Sequence, residues 1–69
     1  MNKESVQIFV MRDGDEKSSE DCPDEISAII NGAITNRTPW RVTTTVDDRG
    51  QIWNKYERYS FVRKCWEAR

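Results

Sequence analysis

The stretch Trp40–Tyr56, WRVTTTVDDRGQIWNKY, decides the fold. Val42, Thr43, Thr44, Thr45 and Val46 are all β-branched, stiff at χ1, and suit a pleated strand better than a helix. Asp47-Asp48-Arg49-Gly50 follows. An Asp at the first turn position can accept hydrogen bonds from the backbone ahead of it, and Gly at the fourth can take positive φ, the chemistry of a type I turn closed by a glycine bulge. With Asp48 to Gly50 as the loop, Asp47 faces Gln51, Val46 faces Ile52, Thr44 faces Asn54 and Val42 faces Tyr56. Alternation then puts Trp40, Val42, Thr44, Val46, Ile52, Asn54 and Tyr56 on one face, and Arg41, Thr43, Thr45, Trp53, Lys55 and Glu57 on the other. The first set is mostly apolar and is expected to face the core. The second is expected to face outward, with Trp53 as its large apolar exception.

On the N-terminal side, residues 5–12, SVQIFVMR, read as a strand with Val6, Ile8 and Val10 on one face and Gln7, Phe9 and Met11 on the other. Both faces are partly apolar, which predicts a central strand or an oligomer contact on the outer side. Residues 13–21, DGDEKSSED, are too polar to pack and are expected to form a flexible acidic loop. They lack the alternating oxygen ligands of a calcium loop. Cys22-Pro23-Asp24-Glu25 predicts a helix start, with Pro at the first helical position, acids in the first turn, and Asp21 or Cys22 as the cap. Ile26, Ile29, Ile30, Ala33 and Ile34 form an apolar stripe at helical spacing. Gly32 sacrifices about 1 kcal/mol of helix propensity relative to Ala. It marks either a close approach to the sheet or an early helix end. The tail 57–69 is predicted to be strand through Val62, with 64–69 a helical turn or a frayed end.

The predicted order is β–loop–α–β–β: a single α+β domain over 1–69, with a three-stranded, mainly antiparallel sheet and one helix on one face. Val6, Ile8, Val10, Ile26, Ile29, Ile30, Ile34, Val42, Val46, Ile52 and Tyr56 are expected to fill the layer between them.

A chain of 69 residues can bury only about 60% of its unfolded surface, so its stability leans on a partner or a second copy. No apolar run approaches the ~20 residues of a membrane span, and MNKESVQIF lacks a signal-peptide core, so a cytoplasmic location away from membranes is expected. Two cysteines without histidine cannot complete a four-ligand zinc site, and in a reducing compartment Cys22 and Cys65 are expected to be free thiols. The net charge of −1 conceals a division: residues 1–36 carry three bases and eight acids, net −5, and residues 37–69 carry eight bases and four acids, net +4. Either the halves attract each other in the fold, or one of them meets an oppositely charged partner.

The absence of histidine removes the usual neutral-pH base and with it the Ser–His and Cys–His nucleophile pairs. Gly14, Gly32 and Gly50 are scattered and form no phosphate loop. No catalytic residue, metal ligand or cofactor site is expected. What remains is binding. Trp53, Arg41, Lys55, Tyr59 and Arg63 would place aromatics among bases on the outer sheet face, suited to a protein contact or to stacking single-stranded nucleic acid. Asp13, Asp15, Glu16, Glu20 and Asp21 would form a negative surface for a basic groove. The leading expectation is a non-enzymatic inhibitor or adaptor that binds another protein, of the kind found as accessory proteins of phages and mobile elements, with a homodimer compatible with its size. The alternative is a single-stranded nucleic-acid binder.

Overall fold

A computed structural model of the chain describes residues 2–69. It contains β1 (Lys3–Arg12), β2 (Asp15–Asp21), α1 (Glu25–Thr35), β3 (Thr38–Val46), β4 (Ile52–Ser60) and β5 (Cys65–Ala68). The strands form one antiparallel sheet in the order β2-β1-β3-β4-β5, with α1 on one face. The expected three-stranded sheet is therefore corrected to five strands, within the same α+β class.

The two added strands have local causes. The acidic segment 13–21 folds back on β1 through an Asp13-Gly14 turn in which Gly14 takes φ 78°. The ladder is irregular between Val10 and Arg12, and Ser18 fills the gap: its hydroxyl accepts from Arg12 N at 2.8 Å and donates to Asp15 O at 2.7 Å. An edge strand needs no apolar face, and its charges discourage pairing with another chain. At the other end the chain turns after Ser60, Lys64 adopts φ 58°, and residues 65–68 pair with β4 instead of fraying.

The central hairpin has the register its sequence predicts, Val46 opposite Ile52, Thr44 opposite Asn54 and Val42 opposite Tyr56. Asp47 Oδ1 accepts from Arg49 N and Gln51 N, both at 2.9 Å, and Gly50 has φ 82°. The helix starts two residues later than expected, at Glu25 instead of Pro23, and neither Asp21 nor Cys22 caps it. Asp24 is the cap, accepting from Ser27 N at 2.8 Å, and Pro23 lies before it. These hydrogen bonds hold the Asp24 carboxyl below its usual range. The helix ends at Asn36 in the left-handed region, φ 56°.

The side the helix occupies is the main departure from expectation. Ile8 lies opposite Arg41 and Val10 opposite Pro39, so the Val6–Ile8–Val10 face of β1 continues into the Arg41–Thr43–Thr45 face of β3. α1 packs there, over the polar face of the hairpin. Among the described residues the buried apolar core is Ile8, Val10 and Ala28, with Cys22 packed beside them and Pro39 and Gly32 also buried. A helix lies close to a sheet only where its contacting side chains are small, and Ala28 and Gly32 supply that line. Of the expected core, Ile26, Ile30 and Ile34 point away from the sheet and are 70%, 55% and 78% exposed. Val42, Val46, Ile52 and Tyr56 lie on the sheet face opposite the helix.

Ion pairs join the two charge halves. Arg37 meets Glu20 at 2.6 Å, Arg41 meets Glu25 at 3.4 Å and Arg58 meets Asp13 at 3.5 Å, each a base of the second half on an acid of the first. Among the described residues no helix is long and apolar enough to cross a membrane. Cys22 and Cys65 are unbonded, and burial raises the Cys22 thiol pKa.

Candidate functional site

The face of the sheet away from α1 gathers its apolar side chains across three strands. Phe9 on β1 and Trp40 on β3 are opposite each other and stack, ring centroids 6.4 Å apart at 7°. Arg58 on β4 is opposite Trp40, with its guanidinium 6.0 Å from the ring and 3.5 Å from Asp13. This is cation–π geometry on an aromatic pair. The next rows are Val42 with Tyr56, then Val46 with Ile52. Phe9, Trp40, Val42 and Val46 are half-buried, Tyr56 is 48% exposed and Ile52 63%. Thr44 donates to Asn54 at 2.8 Å between the two apolar rows. Trp40 Nε1 is buried without an acceptor among the described residues, so the ring contributes surface and stacking rather than a hydrogen bond.

The residues predicted as a binding face lie on the helix side instead. Arg41 is engaged: it meets Glu57 at 3.0 and 2.9 Å, Glu25 at 3.4 Å, and the Trp66 ring at 4.6 Å. The bidentate pair with Glu57 holds that carboxyl below its usual range and raises the Arg41 pKa. Tyr59 packs edge-on against Phe61 and Trp66, tying β5 to β4. Lys55 lines a polar depression beside Glu4, Glu25, Arg41 and Glu57. Trp53, opposite Thr45, is 61% exposed, and Arg63 is exposed near Glu67.

The predicted acidic surface is dispersed along the edge strand and partly used internally. Asp13 pairs with Arg58, Asp15 accepts from Lys17 N, and Asp21 accepts from Gln7 at 3.5 Å. Glu20 accepts from Asn31 at 3.1 Å and from Arg37, hydrogen bonds that lower its pKa. Glu16 is exposed on β2. No group of three acidic or cysteine side chains suited to a metal ion occurs among the described residues.

Three depressed carboxylates, Glu20, Asp24 and Glu57, give the fold an acid limit. Their folded pKa values lie below the unfolded ones, so their contribution is present above the ordinary carboxylate range near 4 and disappears as pH falls through the folded values. With no histidine in the chain, the melting temperature is expected to stay nearly level from pH 8 to 5 and to drop below about pH 4. Glu57→Gln should make that drop shallower. A wild-type melting temperature as high at pH 3 as at pH 7 would refute this account.

Comparison with known proteins finds no matching family model, curated protein or solved structure.

Proposed function

We propose that the protein is a small non-enzymatic binding module, an inhibitor or adaptor, that docks another protein on the open face of its sheet. The observation that supports this reading is the uncovered apolar surface of Phe9, Trp40, Val42, Val46, Ile52 and Tyr56, left free because α1 packs on the opposite, polar face. Trp, Tyr and Arg are the side chains that most often dominate binding energy, and Trp40, Tyr56 and Arg58 lie on adjacent strands here. The matching partner is a protein with an apolar patch of its own and a rim of mixed charge, since Arg58 and Asp13 already balance each other.

The nucleic-acid alternative gains less support. On the helix side a phosphate chain approaching Lys55 and Arg41 would meet Glu4, Glu25 and Glu57 in the same depression. Arg41 is held by two of those carboxylates.

The test is retention by immobilised protein. The wild type is expected to retain a protein partner. Tyr56→Glu, with an unchanged melting temperature, should weaken that retention by about tenfold or more, the effect of losing a central aromatic contact. Trp53→Ala should leave it intact. Equal retention by Tyr56→Glu would overturn the assignment of the face. Retention of single-stranded DNA or RNA that is lost in Trp53→Ala would replace this reading with the alternative.

A further inference from the structure

We infer that a second copy of this chain packs on the outer side of α1, helix against antiparallel helix, with Ile30 at the two-fold axis and Ile26 facing the partner copy's Ile34. This surface lies on the other side of the sheet from the open face, and the inference does not rest on the binding role proposed above.

Ile26, Ile30 and Ile34 form a single i, i+4, i+8 row, 55–78% exposed, on the side of the helix away from the sheet. Residues 26–35, ISAIINGAIT, contain no charged side chain in a chain that is 33% charged. Loss of charge marks the centre of an interface, whereas a solvated helix face ordinarily carries Lys and Glu. The segment is also a weak helix former, with four β-branched Ile, Thr35 and Gly32, so its order depends on packing. The sheet supplies only part of that packing, through Ala28 and Gly32.

Surface area identifies the occupant. The folded chain exposes 5253 Å². A compact monomer of 8.1 kDa is expected to expose roughly 4,500 Å². The excess, roughly 750 Å², is shared between the Ile row and the open sheet face, and its total is of the order of the ~800 Å² that each partner contributes to a standard interface. An enclosed core of Ile8, Val10 and Ala28 is too small to hold the fold by itself. The missing burial must therefore be available wherever the chain folds, and another copy of the chain meets that condition.

The geometry is self-complementary. The Ile row is an i±4 ridge, and two such ridges interlock at a crossing angle of about −50°. Along it lies a depression of about 400 Å³ lined by Ile30, Ile34, Thr35, Ser27, Asn31 and Glu20. It is a groove into which the partner copy's ridge fits. A two-fold axis at Ile30 brings the two Ile rows together, with Glu20 of each copy at the rim and already paired with its own Arg37, as an isologous interface allows. It also sets the two helix dipoles antiparallel.

Sedimentation of the full chain tests this. The expected mass is twice 8.1 kDa at micromolar concentration, with a melting temperature that rises with protein concentration. Ile30→Lys should sediment as a monomer, and Tyr56→Glu should remain a dimer. Should Ile30→Lys fail to fold, Ile30→Cys in a Cys22→Ala, Cys65→Ser background decides the matter. A disulfide-linked dimer on mild oxidation supports the interface, and its absence overturns it. A wild-type monomer at every concentration also overturns the inference, including one whose Ile row binds vesicles or a different protein. So does a dimer unchanged in Ile30→Lys, which would use another face.

Discussion

Gly32→Ala is expected to destabilise the fold, although in an isolated helix the same change stabilises by about 1 kcal/mol. A Cβ at this position would stand 2.5 Å from the Arg37 carbonyl oxygen and 3.0 and 3.1 Å from the Pro39 ring. The first neighbour is backbone and the second is a ring on a fully buried residue, so neither can rotate away. The helix must lift, and lifting it opens the contact of Ala28 with Ile8 and Val10. Overpacking of this kind outweighs the propensity gain, for a net loss of about 2 kcal/mol. A domain of this length has roughly 3–10 kcal/mol in total. The melting temperature should fall by about 10 °C, and further for Gly32→Val. An unchanged or raised melting temperature would show that the helix shifts outward freely.

Arg37→Met is the second large effect. Arg37 is the last residue before β3 begins, and its guanidinium ties β2 to the C-terminal part of α1. It donates from Nε to Thr35 at 2.8 Å, from Nη1 to the Ser18 carbonyl at 2.6 Å, and from Nη2 to Glu20 at 2.6 Å and Asn31 at 2.9 Å. The side chain is 13% exposed, against 55% for Glu20. This is more than a surface ion pair, since most of its donors serve neutral acceptors that would be left facing each other. Met keeps the length and apolar stem but removes every donor, and a loss of about 2 kcal/mol is expected from charged hydrogen bonds of this kind. β2 should loosen first, seen as faster amide exchange over residues 15–21 than over 38–46. Arg37→Lys should recover little, because one ammonium cannot span all four acceptors. Uniform exchange across the sheet, or full rescue by Lys, would refute the clamp.

Some of this was legible in the sequence and some was not. The Asp47–Gly50 turn fixes the hairpin register by local chemistry alone, and the structure has that register. Which face of the hairpin the helix covers is set by a non-local ladder, Ile8 against Arg41, that nothing in the hairpin encodes. Trp40, Val42 and Tyr56 therefore read as core but stand on the open face. The isoleucine row misleads for a related reason: large apolar residues at helical spacing mark an apolar surface without saying what it meets. The small line Ala28–Gly32 was the better sign of the sheet contact. The strand at 15–21 hid behind its charge, yet Asp13-Gly14 is a common hairpin turn, and an edge strand tolerates polar residues on both faces. Phe9 and Met11 on the second face of β1 were the sequence's one pointer to the open surface.

The division of charge has a consequence for how the chain finds its fold. All five connections between consecutive elements are hairpins or short links, but β1 and β3 must meet across β2 and the helix, from Met11 with Thr38 out to Lys3 with Val46. That ladder is the seam between residues 1–36, net −5, and residues 37–69, net +4. Of the ion pairs that join the halves, the exposed Arg58–Asp13 adds little to the finished structure. Before the seam closes, however, the two halves are oppositely charged bodies on one tether, and their attraction reaches about 10 Å at 0.1 M salt. It works against the loop-closure entropy that makes non-local strand pairing slow. Ionic strength therefore acts on this chain mainly through the speed of folding, by screening an attraction whose role is largely over once β1 and β3 are zipped.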